Sequence, residues 1–210
     1  MLVIIVGMQS EARIARKLGL HIAIGGGTTH GATIAAQHLI DRGATALLSL
    51  GIAGGLDPAL PPGTLIHPTH VIDGQTRYRT TPSLIPWAPA PAQTLAGTDT
   101  PLATTAQKSA LFQQTAAAAV DMESHAVARL ATAYNIPFTA LRAIADPAAT
   151  TLPPAALIPL RPDGRPDLAK ILASLATNPA QLAALLTLAH HARLAHNALR
   201  LALPTRPEIR

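Results

Sequence analysis

Asp121 and Glu123 leave an apolar run in the stretch AVDMESHAVARL, residues 119–130, just where a helical pattern begins. Acids at a helix start can serve simply as caps, because the first N–H groups are unpaired and the dipole end is positive. Three other features stand at comparable places. LVIIVGMQSEAR delivers Glu11, ALLSLGIAGGLDP delivers a Gly-rich turn, and PFTALRAIADPA delivers Asp146, each after an apolar run of strand length. Singly they read as a first-turn acid, a tight turn and an Asx turn. Ligands of open α/β sheets bind beyond the carboxyl ends of the strands, so the features converge if these strands are parallel neighbours. Three carboxylates, Glu11, Glu123 and Asp146, beside a glycine turn suit the breaking of a ribose–purine bond. One accepts the vicinal ribose hydroxyls, a protonated one donates to the leaving base, and the third activates the attacking water. The donor must hold its proton near neutral pH, which calls for burial or a neighbouring negative charge. GIAGG lacks the spacing of dinucleotide and P-loop fingerprints and no lysine follows it, which disfavours nucleoside triphosphates.

The elements that must position these residues follow from periodicity. Strand-length apolar runs lie at 2–6, 21–24, 46–50, 63–72, 116–120 and 137–145, with helical patterns near 29–42, 104–114 and 122–134. The alternation predicts an α/β fold: a mixed, largely parallel twisted sheet flanked by helices, in three layers. The alanine run at 116–120 is ambiguous between helix and strand and is read as a strand from its neighbours. Residues 81–91, TPSLIPWAPAP, hold four prolines and predict an irregular loop, and residues 150–167 a second one. A long helix is expected at about 179–203, with Asn178 as N-cap and Pro179 in first position. Leu185, Leu188, Ala192, Ala195 and Leu199 share its apolar face, opposite His190, Arg193, Asn197 and Arg200. The expected organisation is one catalytic domain over 1–175 and an amphipathic C-terminal helical extension over 176–210, packed on the same domain.

Charge narrows the partners. Residues 1–160 carry nine Lys and Arg against eight Asp and Glu, and residues 161–210 carry seven against three. A basic end suits nucleic acid or an anionic membrane surface. Two Tyr, two Phe and one Trp supply few stacking platforms, so nucleic acid is not expected. The C-terminal helix either packs on its own domain or a partner subunit, or touches a membrane peripherally. His190, His191 and His196 have no acid or cysteine beside them, and no metal is expected. Cysteine is absent and the opening apolar run is too short for a signal or a span, so a cytoplasmic chain is expected, with the inner membrane face as its furthest reach.

VDMES followed by AVARLA, with GIAGGLDPALPPGTLI upstream and LRAIADPA downstream, resembles the nucleoside phosphorylase superfamily, especially its methylthioadenosine/S-adenosylhomocysteine nucleosidase branch. The similarity runs in order over about residues 1–175. Within it, GIAGGLDPALPPG, VDMESHAVAR and LPPAALIPLRPDGRPDL look most like the hopanoid-associated phosphorylases. The resemblance implies that Glu123 holds the ribose hydroxyls, Met122 packs on the sugar, Asp146 protonates the purine and Glu11 activates water. It places Gly54 and Gly55 under the sugar and the base against residues 97–102, GTDTPL. Ile52 stands where relatives usually carry Ser or Thr, so a hydroxyl contact is missing. No arginine immediately precedes the glycine turn, which leaves Arg13, Arg77 or Arg79 as candidate phosphate ligands or as plain surface residues.

The implied reaction is adenine release from adenosylhopane, giving ribosylhopane with water or a phosphoribosyl hopane with phosphate as co-substrate. Both nucleophiles stay open: Glu11 favours water, while the subfamily resemblance implies phosphate. A general methylthioadenosine/S-adenosylhomocysteine nucleosidase and a non-catalytic nucleoside sensor are the alternatives. No cofactor is implied, and a homo-oligomer is. The triterpene tail needs an apolar exit, for which the 81–91 loop and the C-terminal helix are candidate walls.

Overall fold

The computed structural model describes residues 1–161 and 163–205. Its elements in order are β1 (Leu2–Val6), α1 (Gln9–Ala15), β2 (His21–Ile24), α2 (Thr29–Asp41), β3 (Ala46–Gly55), β4 (Leu65–Ile66), β5 (Pro68–Asp73), β6 (Thr76–Arg79), β7 (Gln93–Gly97), α3 (Thr105–Thr115), β8 (Ala119–Asp121), α4 (Ser124–Ala133), β9 (Phe138–Asp146), α5 (Leu168–Thr177) and α6 (Leu182–Ala202). They form a three-layer α/β fold around one mixed sheet, in the order β2-β1-β3-β8-β7-β5-β6, with β9 on β3 and β4 on β9.

LVIIV in β1 is buried throughout because parallel neighbours flank it, β2 and β3, and helices cover both faces. One face of the sheet is closed by alanines of α2 and α4, among them Ala32, Ala36, Ala128 and Ala131, whose small side chains let the helices lie close. The other is closed by α1 and α6 through Ala12, Ala15, Ala195 and Leu199. Fully burying a leucine such as Leu199 contributes about 1.5–3 kcal/mol, enough to seat α6 on β9. Ala195 and Leu199 belong to the apolar face read from the sequence. Their opposite face, with Arg193 and Arg200, lies in solvent.

β3 carries the site. β9 pairs with it in parallel from Leu47 to Gly54 along one flank, while the other flank is shared: β1 pairs with Ala46–Ser49 and β8, antiparallel, with Gly54 and Gly55. Between those two pairings the flank is open. β8 therefore reaches the site antiparallel to β3, so the features converge without all their strands being parallel neighbours, and its direction carries Glu123 back toward the end of β1.

Other departures have local causes. The alanine run divides: Ala116 takes a left-handed φ of 51° as the C-cap of α3, and the strand begins only at Ala119. The 63–72 run breaks at His67 into β4, which pairs with β9, and β5, which pairs with β7. The helix expected from Pro179 begins as a 3-10 turn, Pro179–Gln181, ahead of α6. The short elements α1, β6 and β7 carry no clear period in the sequence, whereas α5, LAKILASLAT, is a ten-residue amphipathic helix that the expected elements leave out. Among the described residues, no single helix is long and apolar enough to cross a membrane.

Candidate active site

The two acids of VDMES divide the work that the sequence left undivided. Asp121 is the cap of α4: its carboxylate accepts from Ser124 N at 3.1 Å and from Ser124 Oγ at 2.6 Å. Glu123 occupies the N-cap position but makes no cap bond. It is buried, and among the described residues its Oε1 has no hydrogen-bond partner. A buried acceptor left unpaired is costly, so such a group marks a place a ligand donor can fill. The carboxyl can sit there because the backbone around it is bare. A Cβ on Gly7 would lie 2.7 Å from Glu123 Oε2, and one on Gly25 would lie 2.9 Å from Oε1.

Arg142 of β9 faces this cluster. Its Nε lies 2.6 Å from Asp121 Oδ2, and its Nη2 lies 2.6 Å from Ser49 Oγ and 3.7 Å from Glu123 Oε2. Two carboxyls, Asp121 and Glu123, thus share one guanidinium, and the charge of Glu11 also acts on it. Burial first, then the charges of Glu11 and Asp121, push the Glu123 carboxyl up to about 8, against Arg142 and the Gly27 backbone.

Glu11 is the third residue of α1, and its two oxygens have separate backbone partners. Its Oε2 folds back to accept from Gly7 N at 2.9 Å and Met8 N at 2.8 Å, the half of a capping box that restrains the side chain. Oε1 accepts from Ile52 N at 2.8 Å. Ile52 thus contributes a backbone donor, while its side chain joins the core under α1 and α6. Gly51 is obligatory beside it, since a Cβ there would lie 2.5 Å from Glu11 Oε1.

Asp146 closes β9. A register shift after Ala53 sets it opposite Gly54, the kind of bulge that re-aims a side chain at a site. A Cβ on Gly54 would press on both carboxylate oxygens, at 3.2 and 3.3 Å, and one on Gly55 would lie 3.2 Å from Pro147. Asp146 Oδ2 is 2.7 Å from Nζ of Lys108, which is wholly buried. Burial pushes this carboxyl up, opposed by Lys108.

Met122 is half-buried, and its carbonyl accepts from Thr29 Oγ1 at 3.2 Å. The 97–102 loop is tied beside it: Thr98 N donates to Asp121 O at 2.9 Å, and Asp99 accepts from Thr29 Oγ1 at 2.7 Å and from His125 Nε2 at 3.1 Å. Glu11, Ile52, Gly54, Met122 and Glu123 therefore stand around the open flank of β3, and Asp146 meets Gly54 from the β9 side. Arg13 and Arg77 are not brought there. Arg13 is exposed on α1 two positions past Glu11, and helix residues so spaced do not share a face. Arg77 is exposed, with Arg79, on β6, which β7 and β5 separate from β8.

Sequence reasoning missed Arg142 and Lys108. Arg142 left a signal, an arginine inside the apolar run PFTALRAIAD, since a charge in a buried strand requires partners. Lys108 left none in QKSALFQQ, which reads as an ordinary solvated helix. The histidines of α6 have separate surroundings: His196 Nε2 lies 3.2 Å from Ser10 Oγ, and His190 Nδ1 lies 3.4 Å from Arg193.

The sequence profile described as Phosphorylase superfamily matches residues 19–94 and 88–187. No curated protein matches the sequence significantly. Solved structures share the fold. A Neisseria meningitidis 5′-methylthioadenosine/S-adenosylhomocysteine nucleosidase in complex with methylthio-immucillin-A aligns over 96% of both chains at 17% identity, TM-score 0.68. A Streptococcus pyogenes S-adenosylhomocysteine nucleosidase aligns over 98% of this chain and 97% of its own at 16% identity, TM-score 0.67. Futalosine hydrolase of Helicobacter pylori aligns over 96% of both chains at 16% identity, TM-score 0.66.

Proposed function

This chain belongs to the Phosphorylase superfamily, and on that premise we propose that it cleaves the N-glycosidic bond of an adenosyl compound, releasing adenine, with adenosylhopane as the substrate. The observation that carries the reading is the unpartnered, buried Oε1 of Glu123, set between Gly7 and Gly25 with Glu11 nearby and Asp146 beyond Gly54. The ribose diol supplies the donors Glu123 lacks. As the bond to the purine breaks, its electron pair passes to the base, Asp146 gives a proton to a ring nitrogen, and water attacks the anomeric carbon while losing a proton to Glu11. Three backbone N–H groups hold Glu11 in place for that role.

Water is favoured over phosphate because, among the described residues, the guanidinium in the cluster is already committed to Asp121, Ser49 and Ser124. The tail is assigned to the Gly25 side of Glu123. There a cleft of about 470 Å³ opens past Gly25 and Gly26, with Ala23, Ile24, Ile34 and Leu160 among its apolar walls. The 81–91 loop and α6 line a separate groove through Trp87, Pro89, Ala198 and Leu201.

The test is adenine release from adenosylhopane and from methylthioadenosine, each with and without phosphate, with the mass of the sugar product. Release mainly from adenosylhopane, independent of phosphate, is expected. Release mainly from methylthioadenosine would make the chain a general nucleosidase, and a phosphorylated sugar would make it a phosphorylase. Folded protein that releases adenine from neither would be a nucleoside-binding protein. Glu11→Gln is expected to lower kcat about 100-fold or more, the usual contribution of a positioned base, with KM little changed. Steady-state turnover at wild-type rate would move water activation to another residue.

A further inference from the structure

Among the described residues of α3, only Lys108 is buried. Its ammonium has three protons and three close acceptors: Asp146 Oδ2 at 2.7 Å, Thr150 O at 2.9 Å and Pro147 O at 3.1 Å, with Asp146 O at 3.4 Å. Taking an ammonium wholly out of water is unfavourable, and an ordinary helix anchor would be apolar. The two carbonyls fix the cation independently of Asp146, on the loop that follows β9. Among the described residues no second side chain donates to the Asp146 carboxylate, and Gly54 faces it with no side chain.

We propose that Lys108 is a positioning residue for Asp146: its ammonium fixes one carboxyl oxygen, leaves the other to the purine, and stands as the countercharge of the carboxylate that proton donation leaves behind. This rests on the reading of Asp146 as the proton donor. In the step, the proton passes from Asp146 to the purine as the bond electrons do, and Lys108 keeps all its own protons. A buried neutral acid without a fixed cation would have to create an uncompensated buried charge at the transition state. Lys108 removes that penalty before reaction begins, which is electrostatic preorganisation acting through the acid. In the free protein, burial pushes the Asp146 carboxyl up while Lys108 on α3 and, at longer range, His191 on α6 oppose it.

The experiment is a carboxyl-carbon NMR titration of Asp146 in the wild type, Lys108→Met and Lys108→Arg, beside the pH profile of kcat/KM. Lys108→Met is expected to raise the Asp146 midpoint by about one pH unit or more, the usual reach of an adjacent opposite charge. The alkaline limb of kcat/KM moves with it, and kcat falls about 10- to 100-fold. Lys108→Arg keeps most of the wild-type midpoint, and the kcat loss vanishes in the Asp146→Asn background. An unmoved midpoint, or an equal kcat loss in that background, overturns the proposal and leaves Lys108 as a fold anchor. In the unaltered protein the Lys108 Nζ resonance must shift with the Asp146 midpoint, a requirement that stands even if Lys108→Met does not fold. The titrations need no turnover, so a protein that releases no adenine would refute the donor reading while still deciding the pairing.

Discussion

Asp146→Asn is expected to lower the rate of adenine release by about 10²- to 10⁴-fold, the contribution of a positioned general acid. An amide fills the same space above Gly54 but has no proton to give, so the purine must leave as an anion. The substitution also disturbs a second balance, because Lys108 is wholly buried and loses its carboxylate partner. Removing one member of a buried pair costs about 3–5 kcal/mol, so above the Asp146 midpoint, where the carboxyl is ionised, the variant should also melt early. Combining it with Lys108→Met removes the stranded charge and should recover most of that stability, with the rate left low. Activity of Asp146→Asn within a few-fold of wild type would remove Asp146 from the chemistry; recovery of rate in the double variant would show that the loss came from the fold.

Glu123→Gln should separate function from stability in opposite directions. The carboxyl sits at about 8, well above the ordinary carboxylate range, chiefly because of burial. A group raised in the folded state contributes stability in full below its unfolded value and loses it as pH rises through the folded one. The wild type should therefore lose stability between about pH 4.5 and 8, by roughly 3–5 kcal/mol through this group. Glutamine has no such proton to lose. Denaturant unfolding at pH 5 and pH 9 should show the variant gaining on the wild type by roughly that amount, while affinity for the ribose diol falls. Parallel stability curves for the two proteins would mean that Glu123 is ionised in the folded protein at pH 5, and the site would then hold a standing carboxylate.

What the sequence revealed of this arrangement follows burial and length. β1 is legible to the residue, because a strand with helices and strands around it becomes an apolar run with clear ends, and the edge strand β2, only partly buried, is legible from HIAI as well. TRYR of β6 and QTLAG of β7 are too short and too polar for any period to emerge. The candidate acids were visible because each follows a strand. Their division of labour was not: only geometry separates Asp121, which caps Ser124, from Glu123, which is left open two residues later. Lys108 belongs to the same class, since its meaning depends on a loop 40 residues away. The bulge that aims Asp146 likewise depends on which residue of β3 it meets.

The shared flank of β3 also governs how the molecule can assemble. Leu47 pairs with Phe138, and Gly54 meets both Val120 and Asp146, so most of the ladder that supports the candidate catalytic groups joins segments distant in the chain. Such non-local closure slows folding, because loop entropy is lost before any contact repays it. During synthesis β1, β2 and β3 can pair early, leaving the apolar β9 flank of β3 without its partner until roughly 90 further residues have followed. Under the proposed function, turnover would then emerge only with the last strand, making adenine release a sensitive probe of when the nascent chain reaches its native topology.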